Sequence, residues 1–236
     1  MQQRWLQCHA SDIIGRVSSM TPHWSPDGQF IMFGAEVEDR GELFLINAQG
    51  GAPKRLMADS SWGKFSRDNG SFSRDGKWIY FDSERGGKSQ IWKLPADPNA
   101  RDRKAIQVTW NGGRNPIESP DGKHLYYLKT GEAADAERLM KAPAAGREET
   151  EVLPSVFRAN FAVAEEGIYF VPGSSGNQYS IQFLSFSSRK ITRMADIEEP
   201  VWGFPVSPVD KGGTRSLLYT QGRWRDWNLM LVENFR

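Results

Sequence analysis

Hydrophobic positions along this chain fall in short runs rich in aromatic and β-branched residues, each bounded by polar turn residues. None sustains the 3.6-residue apolar period of an amphipathic helix, so the pattern predicts strands. The stretch SFSRDGKWIYFDSERGGKSQIWKLPAD, residues 71–97, holds two such runs around a polar tip. HWSPDGQFIMFGAEVEDRGELFLINAQGG before it and IESPDGKHLYYLKTGEAADAERLMKAPAAG after it keep the same rhythm. A Ser-x-Asp-Gly turn opens each phrase. Proline pre-sets φ where it is present, the aspartate caps its own turn, and glycine takes the positive φ of a bulged hairpin.

These turns begin at Ser25, Ser73 and Ser119, 48 and 46 residues apart, and Ser207-Pro208-Val209-Asp210 lies 88 further on. The double step predicts a degenerate copy in between. ANFAVAEEGIYFVP supplies it, with Glu165-Glu166-Gly167 in place of the Pro-Asp-Gly turn. Second strands are expected at 30–33, 78–81, 125–128, 168–171 and 217–220, and third strands at 43–46, 90–94, 138–141, 179–183 and 228–232. Short fourth strands are expected at 54–57, 106–109, 151–153 and 191–194. Five copies with a period of about 40–45 residues predict an all-β chain, a five-bladed β-propeller of four-stranded antiparallel blades. The blades would occupy roughly 21–66, 67–114, 115–156, 157–196 and 197–236 of a single domain. The last copy ends at NLMLVENFR without a fourth strand. An N-terminal strand at 2–7 would complete it, closing the ring and removing two free sheet edges. The rival reading is part of a six- or seven-bladed ring.

The phrases WSPDGQFIMF, FSRDGKWIYF and ESPDGKHLYYLK resemble the TolB-type (WD40-like, PD40) bacterial β-propeller repeat. The resemblance spans essentially the whole chain and thins over residues 143–200. LMLVENF and NGGRNPIESPDGK are similar to propellers found C-terminal to bacterial transcriptional regulators and protein kinases. The resemblance implies a fold. It implies no single function, because propellers host binding, scaffolding and hydrolysis alike.

Composition narrows the classes. At 236 residues the chain can bury a substantial core. Its 30 Lys and Arg against 29 Asp and Glu leave no global field to draw it to nucleic acid or a membrane. A single cysteine, Cys8, excludes an internal disulfide and a thiolate metal cluster. No apolar run approaches the roughly 18 residues of a membrane span. MQQRWLQCHASD has no signal-peptide hydrophobic region, and either a periplasmic or a cytoplasmic location fits. A monomer is expected, with no direct nucleic-acid contact and no membrane insertion.

Catalytic signatures are sparse: H-E-x-x-H, C-x-x-C and G-x-S-x-G are absent. RGGKS at 85–89 ends like a phosphate loop, but Asp82 stands where its first glycine belongs. Position in the blade is more informative. The first strands are expected to line a central channel, four residues before each turn serine with Thr21, Asn69, Asn115, Arg158 and Gly203. Two residues before it stand His23, Ser71, Ile117, Asn160 and Pro205. One reading is a water-filled channel. The other is a Ca2+ site with Asn69, Asn115, Asn160 and Glu118 as oxygen ligands. Glu118 occupies a position that is Trp24, Phe72, Phe161 or Val206 in the other copies, so its charge needs a partner. Arg114 or Arg158 would serve. In the functional reading Glu118 is a metal ligand or, with His23, a catalytic acid or base.

Trp24, Trp78 and Trp92 recur at apolar strand positions and are expected to pack between blades. Trp62, Trp110 and Trp202 fall in inter-blade loops near Arg114, and the tip GRWRDWN, residues 222–228, adds Trp224 and Trp227. Together with Arg158 these form the expected binding face at the channel mouth, since tryptophan and arginine dominate interaction hot spots. Two functions follow. The first is a binding propeller that takes a small molecule or a protein at that face. The alternative is a Ca2+-dependent hydrolase acting on a lactone, a phosphate ester or a phosphodiester in the channel.

Overall fold

The computed structural model describes residues 22–37, 40–56, 65–85, 87–100, 104–130, 136–173, 179–198, 216–223 and 226–233. Among them there is no helix. Four sheets have four antiparallel strands each, in up-and-down order. The first comprises β1 (His23–Trp24), β2 (Phe30–Val37), β3 (Arg40–Asn47) and β4 (Lys54–Arg55). The second comprises β5 (Phe65–Phe72), β6 (Trp78–Ser83), β7 (Gln90–Pro95) and β8 (Ile106–Gln107). The third comprises β9 (Arg114–Glu118), β10 (His124–Thr130), β11 (Ala136–Pro143) and β12 (Thr150–Phe157). The fourth comprises β13 (Phe161–Val163), β14 (Gly167–Phe170), β15 (Tyr179–Ser185) and β16 (Ile191–Ile197). β17 (Ser216–Arg223) pairs with β18 (Asp226–Glu233) as a two-stranded sheet. The expected closing strand at 2–7 and the turn at Ser207–Asp210 lie outside the described residues.

The repeated turn works through one serine and one aspartate. Ser73 donates its hydroxyl to Asp75 (2.7 Å) and accepts the Trp78 amide (2.9 Å), while Asp75 also accepts the Lys77 amide (3.0 Å). Ser25 and Ser119 repeat the pattern, with Asp27 at 2.6 Å and Asp121 at 2.6 Å. Gly28, Gly76 and Gly122 sit at φ 69°, 70° and 70°, the left-handed region that glycine enters without steric penalty. Each turn fixes the register of the hairpin behind it, such as Trp24 opposite Ile31 and Phe72 opposite Ile79.

The chain divides into two compact units, residues 1–118 with 144–147 and residues 119–143 with 148–236. In the first, Met32, Leu43, Leu45 and Leu56 pack with Ile79, Phe81, Leu94 and Ala96. The other face of β2 and β3 buries Phe33, Ala35, Phe44 and Ile46, with the Phe33 and Phe44 rings stacked at 5.6 Å. Both faces of these strands are covered, which is why IMFGA and LFLI are continuous apolar runs rather than alternating ones. Each fully buried aliphatic or aromatic side chain contributes about 1.5–3 kcal/mol. In the second unit Phe157, Tyr169, Val171, Ile181, Ile197 and Leu217 form the corresponding core.

Trp24 corrects the sequence expectation. Its ring is 60% exposed and not packed between sheets. It lies at the end of β1 beside the Ser25 turn, opposite the half-buried Ile31. Trp78 and Trp92 are half-buried, with the Lys93 ammonium 4.9 Å from the Trp78 ring and the Arg85 guanidinium 5.9 Å from the Trp92 ring.

Candidate binding loops and cleft

A buried polar residue near the start of the third strand recurs as Glu42, Gln90 and Glu137. Gln90 and Glu137 each hold the loop that carries the chain into the next sheet. Gln90 accepts from the Thr109 hydroxyl (3.0 Å) and the Gly112 amide (3.0 Å), and donates to the Trp110 carbonyl (3.1 Å). Thr109 in turn accepts the Ile91 amide at 2.9 Å. Asp82 accepts from Ser89 (3.2 Å) and from the Asn115 amide (3.4 Å), and the Gly113 amide donates to the Ser89 carbonyl (3.0 Å). Glu137 does the same work for the loop before β13, accepting the Ala159 amide at 2.9 Å. Glu42 is ion-paired with Arg55 on the fourth strand of its own sheet.

These clamps hold unusual backbone. Asn115, Arg158 and Ala159 lie at φ 51°, 42° and 62°, where non-glycine residues are strained. Among the sequence-predicted binding residues, Trp110 is 52% exposed although its main chain is pinned. Arg114 is exposed at the start of β9. Arg158 is exposed and lays its guanidinium 5.2 Å from the neighbouring Phe157 ring. Trp62, Trp202 and Trp224 lie outside the described residues, as do the side chains of Trp227 and Asn69.

Glu118 is buried and fully engaged. It accepts the Tyr80 hydroxyl at 2.9 Å and the Arg74 amide at 2.6 Å. The sequence reading offered Arg114 or Arg158; the structure uses a phenol and a main-chain amide from the preceding sheet. Burial, reinforced by the Glu118 charge, pushes the Tyr80 hydroxyl well up, which keeps it a donor. Asn160 is buried and donates to the Phe157 carbonyl at 2.8 Å, tying the turn into β13. Ser71 donates to the Pro116 carbonyl at 2.7 Å. Burial pulls the His23 imidazole below its usual range, so it is neutral at pH 7. Among the described residues no hydrogen bond joins His23 to Glu118, and no three His, Cys, Asp or Glu side chains converge as metal ligands would.

The second unit contains a cleft of about 470 Å³ that the sequence did not announce. Ser119, Asp121, His124, Tyr126 and Lys141 of the third sheet line it, facing Glu165, Phe186 and Arg189 of the fourth. Tyr126 and Phe186 stack at 6.1 Å and 20°. Asp121 is held below the usual carboxylate range by the Ser119 hydroxyl and then by the Lys123 amide. Burial raises the Tyr126 hydroxyl. Gln90 and Glu137 had a legible signal, a polar residue opening GELFL, SQIWK and AERLM. The cleft had none, because its walls come from separate repeats.

Repeated up-and-down four-stranded sheets, three of them opened by the same serine–aspartate–glycine turn, define a protein of the propeller class. A profile of the TolB beta propeller domain (PD40) matches residues 6–205, and the chain belongs to that family. An uncharacterized protein of Agrobacterium fabrum is 30% identical over 105 residues, which cover 44% of this chain and 34% of that protein. TolB from Acinetobacter baumannii superposes with a TM-score of 0.67 at 17% identity, over 89% of this chain and 50% of that one. A puromycin-hydrolyzing peptidase of Mycobacterium tuberculosis gives a TM-score of 0.59 at 15% identity, over 92% of this chain and 37% of that one. Likeness at these identities shows the fold. The chain spans about half the length of the TolB structure and about a third of the Agrobacterium protein.

Proposed function

We propose that this chain is a TolB-like binding module that takes a small molecule or a protein on its inter-blade loops. In the same reading the β17–β18 sheet is the fifth blade, completed by the strand at 2–7. One observation carries the binding role: Trp110 stands 52% exposed on a loop whose main chain is fixed by Gln90. An exposed aromatic on a pre-ordered loop binds without the entropic cost of ordering that loop. The exposed Arg114 on the same loop adds a directional cationic donor.

A photo-crosslinking residue placed at 110 tests the reading in cells expressing the protein. A discrete adduct is expected, competed by unmodified protein and lost in Arg114→Glu. The same probe at Trp24, equally exposed but on a strand, should give no discrete adduct. Equal labelling from both positions would remove the support for the loop. Ring closure has a separate test: deletion of residues 1–8 should lower the melting temperature by many degrees, and an unchanged melt would refute it.

A further inference from the structure

We infer that the cleft between the third and fourth sheets binds small organic acids that carry a single carboxylate and a ring. The inference is independent of the Trp110 loop and of how many blades the ring has. It starts from backbone strain. The hairpin tip after β15 is closed by the Ser185 amide on the Lys190 carbonyl (3.0 Å) and the Arg189 amide on the Ser185 carbonyl (3.0 Å). This puts Arg189 at φ 59°. Glycine suits that position, and the matching tip of the first sheet uses Gly50 at φ 99°. Arginine is not what that backbone requires, as Arg147 and Glu148 at φ 72° and 52° in the tip after β11 also show, but of these it is Arg189 whose side chain lines the cleft.

The charges define what the cleft can take. Lys141 lines it from the end of β11, and among the described residues neither Lys141 nor Arg189 is in an ion pair. Asp121 does not neutralise them. Its carboxylate already accepts the Ser119 hydroxyl and the Lys123 amide (3.1 Å) and lies 3.8 Å from the Lys123 ammonium. Glu165 is the remaining acid at the rim, so two cations against one carboxylate favour a ligand with a single negative charge. Glu165 would accept a hydrogen bond from an N–H or O–H on that ligand. The Tyr126–Phe186 pair supplies an apolar wall for a flat body. A carboxylate, a donor and a ring together describe either an N-acylated aromatic amino acid or a uronic acid.

Titration calorimetry with N-acetylphenylalanine and with methyl glucuronoside tests both sources, each against its uncharged counterpart, N-acetylphenylalaninamide and methyl glucoside. At least one acid should bind about tenfold more tightly than its neutral partner, as a charge-assisted pair requires, and the arm that responds names the source. Lys141→Gln and Arg189→Gly should each weaken that binding about fivefold or more. Arg189→Gly should melt at or slightly above the wild-type temperature, because glycine fits the backbone it inherits. Weakened binding without loss of stability separates a ligand role from a structural one. Neither acid binding at about 10 mM, or equal binding of acid and neutral forms, would overturn the inference. So would an Arg189→Gly protein that binds normally or melts several degrees lower.

Discussion

The hairpin between first and second strands is built in two different ways in this molecule. In the first three sheets a buried serine hydroxyl and an aspartate tie the turn, and a glycine at φ 69–70° completes it. In the fourth, the Ala164 amide bonds to the Gly167 carbonyl (2.9 Å) as the Ser73 amide does to that of Trp78 (2.8 Å), but the turn is two residues shorter and has alanine in place of the serine. Gly167 is there for space: a Cβ on it would lie 2.2 Å from the Leu184 carbonyl oxygen and 2.5 Å from the Phe183 ring. A Cβ on Gly76 would meet nothing closer than Pro26, at 3.8 Å. Two glycines that close similar stretches of sequence therefore answer two constraints, a dihedral angle for Gly76 inside its turn and a packing distance for Gly167, whose carbonyl stands where that of Trp78 does. The strand rhythm, rather than the turn chemistry, is what the repeats share.

The largest expected effect separates the two glycines. Gly167→Ala forces a methyl into a backbone carbonyl and should cost about 3 kcal/mol or more, at the upper end of overpacking penalties. Gly76→Ala meets only the left-handed backbone penalty of about 1–2 kcal/mol. Urea denaturation of the two variants measures the gap, and equal costs would break the distinction.

Next comes Glu118, which reaches across from β9 to hold the Arg74 amide inside the Ser73 turn. Glu118→Leu leaves that amide and the Tyr80 hydroxyl without an acceptor and should cost about 2–3 kcal/mol. Glu118→Gln retains an acceptor and a donor of the same shape and should recover more than half of the loss in the same denaturation assay. Leucine tolerated as well as glutamine would show that the carboxylate does not secure the turn.

Ser73→Ala removes the Trp78 amide's acceptor and one donor to Asp75 at a site 1% exposed, for about 1–2 kcal/mol. The matching change in the fourth turn, Ala164→Ser, should be nearly neutral, because the Ala164–Gly167 main-chain bond closes that shorter turn with no hydroxyl at the position.

The smallest effect is pH-dependent. The Ser73 hydroxyl, and then the Lys77 amide, hold the Asp75 carboxyl at about 2. Because its folded-state value lies below its ordinary one, its contribution is present above the usual carboxylate range and is lost as pH falls toward about 2. Asp27 and Asp121 are shifted in the same direction by their own serines. Asp75→Asn should therefore flatten the acid side of the stability profile between about pH 4 and pH 2 and lower its neutral region by what the carboxylate contributes there, the two proteins converging as pH falls toward about 2. An acid limb identical to that of the wild type would assign the acid sensitivity to other carboxylates.

Much of the fold was legible because its signals are local. The serine, aspartate and glycine of the first three turns lie within a few residues of one another, and the strand runs are buried as continuous apolar stretches. β6 and β10 accordingly appear at Trp78–Ser83 and His124–Thr130, around the expected 78–81 and 125–128. The candidate site was less legible. Its aromatic and arginine content could be read, and Trp110, Arg114 and Arg158 are each exposed. Gln90 and Glu137 left a polar mark in their strands, but which loops they hold could not be read, because Gln90 reaches Gly112, 22 residues on, and Glu137 reaches Ala159, also 22 residues on.

Position in the repeat failed as a guide wherever a side chain's environment depends on the neighbouring sheet. Trp24 and Glu118 share one register, yet the tryptophan is exposed and the glutamate is buried. The sequence by itself determined the strands, the turns and the period, since each follows from chemistry within a few residues. Only the tertiary structure decided that Glu118 is met by a residue 38 positions away and another 44 away, and that Arg189 and Lys141 line one cleft. Those groups are brought together by the packing of one sheet on the next, and burial, charge pairing and cleft formation all depend on distances that the order of residues does not contain.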